Sequence, residues 1–189
     1  MTHYYESIKG WFNFPKTYSE MVERFPNGSR FVEIGCWLGK SSVYMGVEII
    51  NSGKDIKFDC IDSWNFAPGE IDPDFVAPED VMIDKVYDEF LMNVTPLSSV
   101  LTSYRVNSID GSKLYKDNSL EFVYIDASHT YNNVMDDLEC WFPKVKDGGF
   151  IGGHDYVVGN GVHRAVNGFF NNKKIDRRED NTWLYYKKY

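Results

Sequence analysis

The chain has 189 residues, 43% of them apolar and 25% charged, enough for one ordinary domain with a sizeable hydrophobic core. Its formal net charge of −8 repels phosphate backbones and argues against a large nucleic-acid footprint. The densest basic cluster, Lys173, Lys174, Arg177 and Arg178, is diluted by Asp176, Glu179 and Asp180 and reads as a solvated turn. Cys36, Cys60 and Cys140 are odd in number and widely spaced. They give neither a disulfide framework nor a zinc pattern, and they point to a reducing, cytoplasmic setting. No apolar h-region opens the chain and no apolar run is long enough to span a bilayer, so a membrane is not an expected partner.

In chain order, residues 18–25 read as a short helix stopped by Pro26, Asn27 and Gly28. Residues 1–29 thus form an N-terminal helical segment. Residues 30–34 are a short apolar run closed by Gly35, a strand by length and flanks. Residues 41–50 are apolar at helical spacing, with Ser41 or Ser42 as cap. Residues 56–61 are a second strand closed by Asp62. The stretch 63–96 is the least regular. Residues 65–80 read as a long loop, 80–94 as a helix, and the whole as a lid insertion, because long loops in compact domains commonly cover binding sites. Residues 100–106 are a third strand, 111–115 a helical turn, 121–125 a fourth strand closed by Asp126, and 131–141 a helix. Residues 147–149 turn into a fifth strand, 150–153, closed by His154 and Asp155. Residues 161–171 are helical. Ile175 and residues 183–187 are two final strands joined by the polar turn 176–181.

Strands alternating with helices predict a single α/β domain with a mainly parallel sheet covered on both faces. Ligands of such sheets bind at the carboxyl ends of the strands. Four of the expected strands end there in acids: Glu33 before Gly35, Asp62, Asp126 and Asp155.

The run from Glu33 to Ser41, E-I-G-C-W-L-G-K-S, joins the first strand to the first helix. Gly35 and Gly39 permit a tight turn and close ligand approach, and the helix that follows aims its unpaired N–H groups at the same space. Three readings compete. A phosphate loop needs one more residue between its glycines. A dinucleotide fingerprint needs glycine where Trp37 stands. A methyltransferase loop needs an acid and then glycines spaced as E-x-G-x-x-x-G. In that reading Glu33 serves the ammonium of S-adenosylmethionine, and Asp62 offers two acceptor oxygens to the ribose diol. Gly35, Gly39, Lys40, Ser41, Ser63 and Ser108 complete the candidate cofactor contacts.

Over residues 31–170 the blocks VEIGCWLGKSS, VYIDASHTY, DDL through Pro143, DGG, GGHDY and GVHRAV follow one another in an order and spacing that resemble the class I methyltransferases. The nearest resemblance is to the compact group related to macrocin O-methyltransferase and the metal-dependent sugar O-methyltransferases. It implies a Rossmann-like three-layer sandwich whose seven-stranded, mainly parallel sheet has its last strand antiparallel. It also implies methyl transfer from S-adenosylmethionine to a hydroxyl. By the same resemblance Asp126 and Asp155 hold a divalent ion, magnesium or manganese, and His129 acts as base beside Asp126. His154 stands where those relatives carry an acid; as a third ligand it would shift the site toward a transition metal.

The residues alone support the same chemistry: positioning aligns a hydroxyl with the sulfonium, and a histidine or a metal removes its proton. Trp64 and Tyr131 could pack on adenine, on an acceptor or in the core. Asp136 and Asp137 read as an outward helix face, because carboxylates at i and i+1 point in different directions. His163 reads as a packing residue and His3 as part of a mobile terminus. The expected activity is O-methylation of a small molecule or glycosyl group, with further copies of the chain as an option the sequence leaves open. The alternatives are a phosphate-loop NTPase and a non-catalytic module that binds S-adenosylmethionine.

Overall fold

The computed structural model describes residues 1–65, 82–171 and 173–188. The expected loop 65–80 lies almost wholly outside the described residues. Seven strands form one sheet: β1 (Arg30–Ile34), β2 (Lys57–Asp62), β3 (Leu101–Arg105), β4 (Leu120–Ile125), β5 (Val145–Gly153), β6 (Asp176–Arg177) and β7 (Trp183–Tyr186). Their order is β3-β2-β1-β4-β5-β7-β6. β1 to β5 pair in parallel, and β7 runs antiparallel to both β5 and β6. This is the Rossmann-like α/β sandwich expected from the alternation of elements. The order reverses between β1 and β4, and at that switch point a crevice opens outside the carboxyl ends of the strands.

The helices are α1 (Pro15–Arg24), α2 (Lys40–Ser52), α3 (Val86–Val94), α4 (Ser108–Ser112), α5 (Tyr131–Trp141) and α6 (Gly161–Phe170). One core lies between the sheet and α1, α2 and α3, built on Tyr18, Phe31, Val47, Phe58 and Phe90. The other lies between the sheet and α5 and α6, built on Val32, Ile61, Val123, Leu138 and Trp141. The period of two along a strand divides β1 between them: Phe31 and Glu33 face the first layer, Val32 and Ile34 the second. α2 begins at Gly39, whose φ of +85° is left-handed, and ends at Gly53 in the same region. α5 is capped by Thr130, whose side chain accepts from the backbone N–H of Asn133.

Several expectations change in detail: the first helix starts at Pro15 rather than at residue 18, the helical turn expected over 111–115 is Ser108–Ser112, and the strand expected at Ile175 is Asp176–Arg177, inside the expected turn. The helix expected over 80–94 is a short 3₁₀ turn, Ile83–Lys85, followed by α3; residues 80 and 81 are outside the described residues. β5 starts at Val145, not at Phe150, because the strand carries its glycine turn within it: Gly148 has a φ of +83°, and the pairing with β4 shifts between Leu120 and Phe122. His3 packs rather than floats, stacked on Tyr44 at 4.6 Å between ring centres and 2.9 Å from Glu48. No helix among the described residues is long and apolar enough to cross a membrane.

Glu33 is fully buried in the first layer. It accepts hydrogen bonds from the hydroxyls of Tyr18 (2.7 Å) and Ser42. Burial pushes its carboxyl up to about 7, although the hydroxyls of Ser41, Ser42 and Tyr18 pull the other way. The folded state therefore holds this proton more tightly than the unfolded chain, where the value is 4.5. The associated stability is fully present below pH 4.5 and is lost as pH rises to 7. Over that window the loss amounts to about 3 kcal/mol. Denaturant unfolding from pH 4.5 to 8 should show this decline in the wild type and a flatter profile in Glu33→Gln; parallel profiles would refute the assignment.

The close approach of β1 to β4 gives a second test. A Cβ on Gly35 would lie 2.2 Å from the carbonyl oxygen of Asp126, and its φ is +83°. Gly35→Ala should lower stability by about 2–4 kcal/mol, read as a fall in the urea midpoint; an unchanged midpoint would show that the loop yields freely.

Candidate active site

A cleft of about 720 Å³ opens at the switch point. Its floor is the carboxyl edge of the sheet, where Ile34, Ile61 and Ile125 pair across β2, β1 and β4. The next residues along each strand, Gly35, Asp62 and Asp126, line the cleft. The turn after β3 adds Val106 to Ile109, and α5 adds Asn133, Asp136 and Asp137. Four carboxylates thus face a cleft to which Arg105 brings a positive charge.

Asp62 shapes the glycine loop. One of its oxygens accepts from the backbone N–H of Cys36 (2.8 Å) and Trp37 (3.1 Å), and the other from Trp64 (2.8 Å). Burial raises this carboxyl above its ordinary value, and these amides act against that rise. Trp37 and Trp64 have φ values of 49° and 44°, a region that costs a bulky residue energy. The bonds to Asp62 hold both there. Trp64 is a core residue: it is 3% exposed, donates from Nε1 to the Trp37 carbonyl and packs 4.5 Å from Phe90.

Of the residues singled out in the sequence as cofactor contacts, Gly35, Asp62, Ser63 and Ser108 line the cleft. Glu33, Gly39, Lys40 and Ser41 do not appear on its described wall. Glu33 is sealed in the layer below, so its part is to anchor the loop through Ser41 and Ser42. Gly39 caps α2 and sits against Phe90. Lys40 donates from Nζ to the carbonyl of Gly10 at 3.1 Å.

Beyond Gly35, the ends of β4 and β5 bring together Asp126, His129, His154 and Asp155. One oxygen of Asp155 lies 3.1 Å from His129 Nε2 and 3.2 Å from His154 Nδ1. Asp155 has a φ of 54°; Asn160 donates to its backbone carbonyl at 2.7 Å. His154 Nε2 donates to the carbonyl of Asp180 at 2.8 Å, and its ring lies 5.0 Å from that of Phe14. Burial alone would lower His154, but the hydrogen bond to Asp155 and the charge of Asp126 raise it to about 9. Burial lifts Asp126 to about 6. Asp155 is only half-buried, and the two imidazoles hold it well below the usual carboxylate range.

Ligand atoms of Asp126, His154 and Asp155 lie within 4.8 Å of one another. Two carboxylates and one imidazole are a thin cage for magnesium, which wants near-octahedral oxygen. They suit a transition ion better, and the bond from His154 Nε2 to a backbone carbonyl is the outer support such a ligand uses. A second group, Glu33, Cys36 and Cys60, also lies within that spacing. Its thiols are pushed up by burial, and it reads as a polar knot beneath the loop.

The sequence missed Asp137. It is 5% exposed and lines the cleft. It accepts from the Ser108 hydroxyl, which in turn accepts from Trp141 Nε1 at 2.8 Å. The signal was the spacing Asn133, Asp136, Asp137, which shares one helix face at i, i+3 and i+4. Tyr131 is 39% exposed under the guanidinium of Arg164 at 5.6 Å. His163 packs 5.0 Å from Tyr156.

A family model described as a methyltransferase domain matches residues 32–156. The O-methyltransferase NovP shares the fold with a TM-score of 0.63 and 17% identity, over 93% of this chain and 79% of NovP. A SAM-dependent O-methyltransferase from Thermotoga maritima does so with a TM-score of 0.59 and 10% identity, over 93% of this chain and 65% of that one. Fibrillarin from Aeropyrum pernix, with natively bound S-adenosyl-L-methionine, gives 0.55 at 12% identity, over 89% and 72%. No curated protein matches the sequence. The match over residues 32–156 spans most of the domain, including the glycine loop, Asp62, Asp126 and His154-Asp155, and the chain accordingly belongs to the methyltransferase-domain family and is a methyltransferase.

Proposed function

We propose that the chain moves the methyl group of S-adenosylmethionine to a hydroxyl of a small molecule or sugar. One observation carries the reading: Asp126 lines the cleft together with Gly35 and Asp62, and beside Asp126 stands Asp155, paired with His129. The cofactor's amino acid part fits against Gly35, where the backbone comes closest, and its ribose fits beside Asp62. The methyl then faces Asp126 and His129. In the transfer the acceptor oxygen bonds to the methyl carbon, the carbon–sulfur bond breaks, and the thioether leaves. The acceptor's proton passes to His129, which Asp155 orients through Nε2.

A divalent ion, if used, would be held by Asp126, Asp155 and Nδ1 of His154, and would supply Lewis-acid polarisation of the acceptor oxygen. The kinship in fold with two O-methyltransferases supports a hydroxyl acceptor. The net charge of −8 favours a small acceptor over nucleic acid.

Calorimetric titration with S-adenosylhomocysteine should give saturable binding in the wild type. Asp62→Ala should weaken it about tenfold to a hundredfold, since a ribose partner and the loop's anchor go together. Absence of binding in the wild type would remove the cofactor assignment. His129→Gln should bind the thioether as wild type does and lose about 10²- to 10⁴-fold in methyl-transfer rate to any hydroxyl acceptor the wild type uses. A full rate in that variant would take the base role from His129.

A further inference from the structure

Residues Gly10 to Phe14 form a strap beside Asp126, His129 and Asp155. At one end Lys40 Nζ donates to the Gly10 carbonyl at 3.1 Å, and a Cβ on Gly10 would lie 3.1 Å from Cδ1 of Trp37 in the glycine loop. At the other end the Phe14 ring lies 5.0 Å from that of His154. The strap is thus tied to the loop after β1 and to the end of β5. β4, which ends at Asp126, lies between those two strands in the sheet. Burial alternates along the strap. Phe12 packs 4.7 Å from Phe14 and 5.1 Å from Tyr44, and Phe14 is 1% exposed. Trp11 and Asn13 are the exposed pair. Asn13 reaches the carbonyl of Asp180, the same oxygen that holds His154 Nε2. Trp11 shares the outer side of the strap with Asn13 and is 67% exposed. Val157 and Val158, directly after Asp155, are exposed as well. Large apolar side chains gathered at the surface around a cluster of acids mark a place for a ligand.

We infer that Trp11 is the platform on which the acceptor stacks, and that the acceptor is a phenol: an uncharged aromatic ring carrying the reacting hydroxyl. The inference rests on the hydroxyl transfer proposed above and deepens it, naming the class of acceptor and the residue that holds it. An indole face and two valines give a flat ring apolar contact, but little for the many hydroxyls of a sugar. Asp126 and Asp155 repel anionic substituents. A phenol, with a pKa of about 10, yields its proton to an imidazole base far more readily than an aliphatic alcohol does. The products are an aryl methyl ether and the thioether, with the phenolic proton on His129.

The test is calorimetry at pH 7.5, about two units below the pKa of the phenol probe. Protein saturated with S-adenosylhomocysteine is titrated with 2-naphthol and with methyl β-D-glucopyranoside. Wild type should bind the naphthol and prefer it to the pyranoside. Trp11→Ala should weaken naphthol binding about threefold to tenfold, the worth of one aromatic contact. Trp11→Phe should stay within about twofold of wild type, since it keeps an aromatic face. The affinity of both variants for S-adenosylhomocysteine should remain that of wild type, which separates a lost platform from a damaged fold. Equal naphthol binding by wild type and Trp11→Ala overturns the platform. A preference for the pyranoside, or no binding of either probe by the loaded wild type, overturns the phenol. Each of these results leaves the cofactor reading intact. Failure of wild type to bind S-adenosylhomocysteine overturns that reading and this inference together.

Discussion

The end of β1 lies so close to the end of β4 that no side chain fits between them. A Cβ on Gly35 would reach the Asp126 carbonyl at 2.2 Å and the Ala127 Cα at 2.7 Å. This contact fixes the crevice at the switch point. It lets the glycine loop turn back over β2, where Asp62 catches two of its amides. It also sets Asp126 one step from the glycine loop. The left-handed backbones of Trp37 and Trp64 follow from it, since both are tied to the same carboxylate. Beneath the loop, Glu33 with Tyr18 and Ser42 forms the buried support.

The charges are divided between two ends. On the α5 side stand Asp136 and Asp137, and burial raises Asp137. At the reactive end, each carboxylate has imidazole beside it. His129 and His154 share one oxygen of Asp155 and lower Asp126 against the pull of burial. The carboxylates thus differ in their neighbours: backbone amides on Asp62 and a hydroxyl on Asp137, imidazoles beside Asp126 and Asp155.

Much of this was legible in the sequence. The glycine loop, the acids that end β2, β4 and β5, and the whole of α5 follow from periodicity and from turn and cap residues. What was not legible has physical causes. Glu33 ends a strand, as a ligand-binding acid would, but the period of two turns it toward the first helix layer, and only the packing of α1 reveals that Tyr18 is waiting there. Asp137 was discounted because adjacent carboxylates diverge on a helix. The argument fails where a cleft wraps around the helix's first turns, so that Asp136 meets it near solvent and Asp137 from within. Lys40 counted as a cofactor contact by its place in the loop; its side chain turns to the N-terminal segment, to the carbonyl of Gly10.

The termini of the chain take part in the reactive end, which no local pattern announces. His154 is clasped from both: Phe14, just before α1, lies against its ring, and the carbonyl of Asp180, in the turn between β6 and β7, holds its Nε2. Asn13 reaches the same Asp180 carbonyl at 3.5 Å, and Arg178 crosses back to Thr17 and Glu20 on α1. The first helix and the last hairpin are thus pinned to each other over the outer side of His154. A carbonyl can only accept, so Nε2 must carry a proton, and whatever else the ring does it does through Nδ1, toward Asp155. The orientation of His154 is therefore set by segments more than a hundred residues apart in the chain, Phe14 before the first helix and Asp180 in the last turn.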